Sequence, residues 1–187
     1  MKEKVAAFVL AFLLLPGATG LGAEISGGLL HGEHQAALRH INNGLQDLAD
    51  KRLYWAKKEF EFVTRMKYDT GLKPVAYLNL GVIHYLEGNI DKAIQHYQKA
   101  IELRPQYAEA YFNLGSAHYK RKELKKAEEA YLKAIELQPE YGRAHYSLGI
   151  LYLEQKKYDL ASKHAEKAEE YGVSYKTLKE RLNKAGY

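Results

Sequence analysis

Between residues 75 and 87 Tyr77, Leu80, Ile83 and His84 recur at steps of three and four, the stripe of an amphipathic helix. Glu87-Gly88-Asn89 reads as a turn, and Ile90, Ala93, Ile94, Tyr97 and Ile101 form a second stripe. Pro105 ends that helix, because it cannot donate the helical hydrogen bond and disfavours helix at the residue before it. The pattern then recurs at one constant interval: Tyr77, Leu80, Gly81 and His84 map onto Tyr111, Leu114, Gly115 and His118, then onto His145, Leu148, Gly149 and Tyr152. Likewise Ala93 and Tyr97 map onto Ala127 and Tyr131, Ala100 onto Ala134 and Ala168, and Pro105 onto Pro139. One such unit cannot bury its own apolar face, so neighbours must stack into a solenoid that presents a surface instead of a closed pocket. Gly81, Gly115 and Gly149, with Ala93, Ala127 and Ala161, are small where two antiparallel helices must approach closely. Packing accounts for all six.

A bulky aromatic, Leu-Gly, a further ring, a later Ala and aromatic, and a closing Pro together resemble the tetratricopeptide (TPR) repeat family. The pattern fits closely at 74–107 and 108–141, and more loosely at 142–172, where Ala165 replaces the aromatic and no Pro closes the unit. The resemblance implies an all-α fold, a right-handed superhelical solenoid of antiparallel helix pairs. A degenerate unit is expected at 37–73. With Gly44 at the glycine position, Leu53, Ala56 and Phe60 reach the second-helix positions, but His40 and Asn43 replace the aromatic and leucine. Gly71-Leu72-Lys73 is an insertion before the next unit. Residues 173–187 read as a C-terminal capping helix with Ser174 at its N-cap. Tyr175, Leu178 and Leu182 would face the stack there, and Lys176, Lys179, Glu180 and Lys184 would face water.

Positions 1–23 are of another kind. Lys2 and Lys4 precede an unbroken apolar run from Val5 to Leu15, and small residues at 18, 20 and 23 follow Pro16-Gly17. This is the layout of a secretory signal peptide. The alternative is a retained anchor, since Val5 to Ala23 carries no charge and about 20 apolar residues span a bilayer. Either reading places the repeats outside the cytoplasm, periplasmic or secreted, or membrane-anchored by residues 5–23. Residues 24–36 are expected to be a lead-in.

The chain has no cysteine, so lipoprotein attachment and disulfides are both excluded, and an exported fold must rely on its core. With 187 residues and 47% hydrophobic content it can do so. The net charge of +5 is interleaved, as in Lys125-Lys126-Ala127-Glu128-Glu129, a solvated helix face and not the basic stripe that phosphates require. No nucleic-acid partner is expected. No nucleophile elbow, phosphate-binding loop, dinucleotide fingerprint or metalloprotease helix occurs, so no catalytic residue, enzyme activity or cofactor is assigned. His84 and His118 are expected to pack between helices with one nitrogen satisfied. His31, His34 and His40, with Glu33, could be considered as metal ligands, but histidines in a polar, glycine-containing lead-in are more simply incidental. No metal site is expected.

In TPR proteins the first helix of each pair lines a groove that takes an extended peptide or a helix from a partner. Carried over by position, the lining implied by the resemblance is Val75, Leu78, Asn79, Val82 and Tyr85 from the first clear repeat. The second supplies Glu109, Phe112, Asn113, Ser116 and Tyr119, and the third Arg143, Tyr146, Ile150 and Leu153. Chaperone-binding members grip a C-terminal carboxylate with a clamp of Lys, Asn and Arg side chains. Only Asn113 and Arg143 match that clamp, while Leu78, Val82 and Ser147 replace the others. Phe112, Tyr119 and Tyr146 instead suggest an exposed surface for an apolar peptide, with rings as rigid anchors. The expected function is therefore an exported, non-catalytic adaptor for a protein or peptide partner, with envelope assembly or secretion as its setting. The alternative is a structural homo-oligomer built by repeat stacking. A membrane enters only if the N-terminal segment is retained.

Overall fold

The computed structural model describes residues 29–67 and 70–187, and among these every regular element is an α-helix. The signal-peptide or anchor reading of residues 1–23 lies outside the described residues. The chain divides into two compact units, with the boundary between Ile83 and His84.

In the first unit α1 (Leu29–Ala49) packs along α2 (Leu53–Arg65), and α3 (Lys73–Leu86) begins before the boundary. Its core gathers Ala37, Ile41, Ala56, Phe60, Leu80 and Ile83. A Cβ on Gly44 would stand 2.8 Å from the Phe60 ring, so the degenerate unit keeps the close approach that the sequence pattern expects. Residues 29–36 of the lead-in expected over 24–36 are helical, part of α1, which carries Ala37 and Ile41 into the core. Gly32, on the open side of α1, makes this stretch look like a linker in the sequence, yet an exposed glycine only weakens a helix by about 1 kcal/mol. His34 Nδ1 meets the Thr70 carbonyl at 3.1 Å, while His40 Nδ1 meets Glu59 Oε2 at 2.6 Å and its ring lies 3.9 Å from Phe62. His40 thus takes the place of the missing aromatic. The three lead-in histidines do not converge, and among the described residues no group of three metal-ligating side chains forms.

The second unit contains α4 (Ile90–Leu103), α5 (Ala108–Lys120), α6 (Leu124–Leu137), α7 (Gly142–Glu154), α8 (Tyr158–Glu170) and α9 (Lys176–Lys184). Helices α5 with α6, and α7 with α8, are the intimate pairs. Ahead of Pro105 and Pro139, Arg104 and Gln138 are pushed into extended backbone and terminate α4 and α6. The turns inside the pairs share a left-handed residue in the same register: Gly88 at φ 80°, Lys122 at 63° and Lys156 at 60°. A lysine there costs about 1–2 kcal/mol. The Lys122 N–H to Tyr119 carbonyl bond (2.9 Å) and the Glu123 N–H to His118 carbonyl bond (3.0 Å) hold it in place.

The core of this unit contains Ala127, Tyr131, Ala134, Leu148, Leu151 and Ala161. Leu178 and Leu182 from α9 close its end, and Lys176, Lys179, Glu180 and Lys184 are exposed. One detail of the cap differs from expectation. Helix α9 begins at Lys176 with Tyr175 at the N-cap and no side-chain cap bond, so Ser174 does not cap it. The Tyr175 ring packs against the core at this helix start. His84 and His118 are buried, as expected of residues between helices. His118 Nδ1 lies 2.6 Å from Glu123 Oε2, and the His84 ring stacks parallel to His96 at 5.2 Å.

Candidate functional site

The groove positions of the first unit are mostly closed. Leu78 and Asn79 are buried at 4% and 8% exposure, which corrects the expectation that they are open surface. The Asn79 amide turns back along its own helix to donate to the Val75 carbonyl (2.8 Å). Val75 packs against the core of the first unit, and Val82 is half-buried.

In the second unit the remaining positions lie on α5 and α7, with Tyr85 at the end of α3. Side chains tie these two first helices together. Phe112, expected to be exposed, is buried at 7%. Its ring lies 5.2 Å from Tyr141 and 5.8 Å from Tyr131, and the Arg143 guanidinium sits 4.7 Å above it. It is a core ring that anchors Arg143, and so not a contact surface. Leu153 is likewise buried, at 8%. For Phe112 the cause is the next repeat, whose Tyr141 and Arg143 cover a position that a single helix pair would leave open.

Tyr119, Tyr146 and Ile150 are half-buried, one side against the core and the other open. The Tyr119 hydroxyl donates to Glu154 Oε1 across the gap between α5 and α7. Burial, followed by that hydrogen bond, raises its pKa, so the phenol stays a neutral donor. Ser116 Oγ donates to the Phe112 carbonyl (3.0 Å) and receives the Tyr131 hydroxyl (3.3 Å), which leaves it little capacity for a partner. Asn113 is half-buried. Glu109 is open to solvent yet close to the phenols of Tyr97, Tyr107 and Tyr141. Desolvation raises its carboxyl pKa and the Arg143 charge opposes the rise.

Tyr107, Tyr141 and Glu154 are not among the positions derived from the sequence. Tyr107 and Tyr141 are equivalent in successive repeats, each just beyond a repeat-closing proline, and that recurrence is the available signal. Glu154 has none, because its role depends on α5 and α7 lying side by side.

Behind this face, His145 on α7 and His164 on α8 meet Nδ1 to Nδ1 at 2.9 Å, and His145 Nε2 donates to the Pro139 carbonyl at 3.0 Å. With Nε2 protonated, neutral His145 accepts through Nδ1, so His164 Nδ1 donates. Burial, then His145 and Lys163, push His164 down to about 4; burial is also the first cause of the lowered His145 pKa, with Lys167 adding to it and the Pro139 bond and Glu170 opposing. The rings of Tyr152 and Tyr171 complete the surroundings. Because the folded pKa values lie below the unfolded one, this stability is fully present above about pH 6.5 and is lost as pH falls towards 4. We expect the second unit to lose about 1–2 kcal/mol across that window, after allowing for partial solvent contact. Melting followed by circular dichroism from pH 7.5 to 4.5 would show it. The double change His145→Tyr and His164→Ala, which restores residue types found at the equivalent positions 111 and 130, should flatten the profile.

Family models described as TPR repeat or tetratricopeptide repeat match residues 81–122, 108–141 and 130–161. Residues 81–161 thus carry tetratricopeptide repeats, and the all-helical architecture is that of a TPR solenoid. Among solved structures, one of MamA is 26% identical with a TM-score of 0.64, covering 84% of this chain and 85% of that one. The APC/C hetero-tetramer Cut9-Hcn1 matches with a TM-score of 0.68 at 22% identity, covering 80% of this chain and 30% of that one. A tetratricopeptide repeat protein from Parabacteroides merdae matches at 0.64 and 22%, covering 74% and 54%. The last two likenesses show the fold alone. A search of curated proteins returns no match. Repeats of this family generally mediate protein–protein interaction and are generally non-catalytic, which is consistent with a scaffold.

Proposed function

We propose that this protein is an exported or membrane-tethered adaptor, without catalytic activity, that captures an extended peptide segment on the α5–α7 face of its second unit. The supporting observation is the pair of half-open rings, Tyr119 and Tyr146, held by the core on one side and available on the other. Rings immobilised in this way lose little entropy on binding and make good anchors. Arg143, seated on Phe112, and Glu109 beside it offer one cation and one acid to fix the peptide's direction. The placement outside the cytoplasm rests on the layout of residues 1–23, in which a short basic start precedes an apolar run.

Truncating both rings, Tyr119→Ala with Tyr146→Ala, is expected to weaken capture by about 2 kcal/mol or more while helix content is retained. Partner recovery from native envelope material, with the full chain as bait, would be compared between parent and variant by quantitative mass spectrometry. Equal recovery by a folded variant would place the binding surface elsewhere. Light scattering over a concentration series separates the adaptor from a self-stacking homo-oligomer, whose mass would grow with concentration.

A further inference from the structure

Helix α2 carries a second face that the groove does not use. Tyr54, Trp55 and Phe62 are 64%, 60% and 49% exposed. On a helical wheel they share an arc of about 120° with Lys58, Glu61 and Arg65, opposite the buried Ala56, Phe60 and Val63. The other repeats act as internal controls. Where α2 has Trp55, the equivalent positions are Lys92, Lys126 and Leu160; where it has Phe62, they are Lys99, Lys133 and Lys167; where it has Tyr54, they are Asp91, Lys125 and Asp159. Solvated positions elsewhere in the stack thus become rings in this one helix.

The charge around those rings is one-sided. Residues 50–67 hold six basic side chains against three acidic ones. The acids are engaged locally: Asp50 with Arg52, Glu59 with His40, and Glu61 with both Lys58 and Arg65. Lys58 extends beside the Tyr54 ring, 5.6 Å from its centroid, and is itself more than half exposed. Exposed Trp and Tyr interleaved with Lys and Arg is the composition of a surface that sits at a lipid headgroup layer, where each ring has an apolar body to bury and a polar tip to keep wet. The apolar run Val5–Leu15 also stands upstream of this unit in the sequence, with only positions 16–28 between it and Leu29. No helix among the described residues is long and apolar enough to cross a membrane, so association here is with the surface.

We propose that the Tyr54–Trp55–Lys58–Phe62–Arg65 face of α2 docks on an anionic membrane surface and so orients the repeats with respect to the bilayer. This does not depend on the peptide-binding reading of the second unit.

Trp55 is the single tryptophan of the chain, so it reports on this face directly. The full chain would be mixed with phosphatidylglycerol–phosphatidylcholine vesicles, and separately with pure phosphatidylcholine vesicles. Trp55 emission, and its quenching by lipids brominated near the headgroup, would then be followed. The expected result is a shift to shorter wavelength with quenching in the anionic vesicles, both reversed by high salt. Lys58→Gln with Arg65→Gln, two exposed changes that leave the core untouched, should weaken partitioning about fivefold for each cation removed. Solvent-like emission in anionic vesicles would overturn the proposal. So would an equal shift in neutral vesicles that the Gln variants do not alter, because the apolar N-terminal run would then be the sole cause of proximity. A shift that grows with protein concentration without lipid would assign the face to a second copy. A shift produced equally by polyglutamate would assign it to an acidic protein.

Discussion

Gly115→Leu is expected to lower the stability of the second unit by about 3 kcal/mol, the upper end of what overpacking costs. A Cβ at this position would already stand 2.7 Å from two atoms of the Tyr131 ring and 3.2 Å from the Ala127 carbonyl oxygen. Neither neighbour can yield cheaply. The Tyr131 ring is held between Phe112 (5.8 Å) and its hydroxyl bond to Ser116 Oγ, and Ala127 is helix backbone. Larger side chains must therefore separate α5 from α6, one of the two intimate pairs of the unit. Chemical denaturation followed by helix signal gives the number. A Leu variant as stable as the parent would refute the close approach, and Gly115→Ala should fall between the two.

Leu178→Ala is expected to cost about 3 kcal/mol, the usual range for emptying a buried leucine site being about 2–5. Leu178 is fully buried and comes from α9, the last helix, so its loss both opens a cavity and loosens the cap over α7 and α8. The same side chain makes Gly149 different from Gly115. A Cβ on Gly149 would meet Leu178 Cδ2 at 2.7 Å, the far end of a movable side chain, and the backbone only at 3.4 Å. Gly149→Ala should therefore cost less than Gly115→Ala, and less again once Leu178 is Ala. A double-mutant cycle on 149 and 178 measures this coupling, and additive costs would show that the two sites do not touch.

Much of the architecture was legible in the regular recurrence of a few small residues. Glycine at 115 and 149, alanine at 127 and 161, and proline at 105 and 139 each answer a local requirement: close approach, small volume, helix termination. Such requirements are properties of one residue and its neighbours, so spacing alone reveals them. The close approach of α1 to α2 was also visible through Gly44, Ala56 and Phe60, since close packing at the glycine needs no intact signature around it. That Leu29 to Ala36 is helical was not, since Gly32 among polar residues reads as a linker. Nor was the start of α9, where Tyr175 and not Ser174 stands at the N-cap.

The candidate surface divides the same way. The family resemblance assigned Tyr119, Tyr146 and Ile150 to the groove side of first helices, and the folded stack left them half-open. It closed Leu78, Asn79, Phe112 and Leu153, and Phe112 lies against Tyr141 and Arg143 of the following repeat. It also made pairs that no spacing rule contains: Tyr119 with Glu154, Arg143 over Phe112, His145 against His164. A helical repeat array, the ends of most of its helices and the small residues at their crossings can all be read from residue order, because each depends on a short step along one helix or on the fixed interval between repeats. Which rings are core and which are surface became visible only once the helices were stacked, because that depends on a neighbour distant in sequence, whose arrival no local pattern encodes.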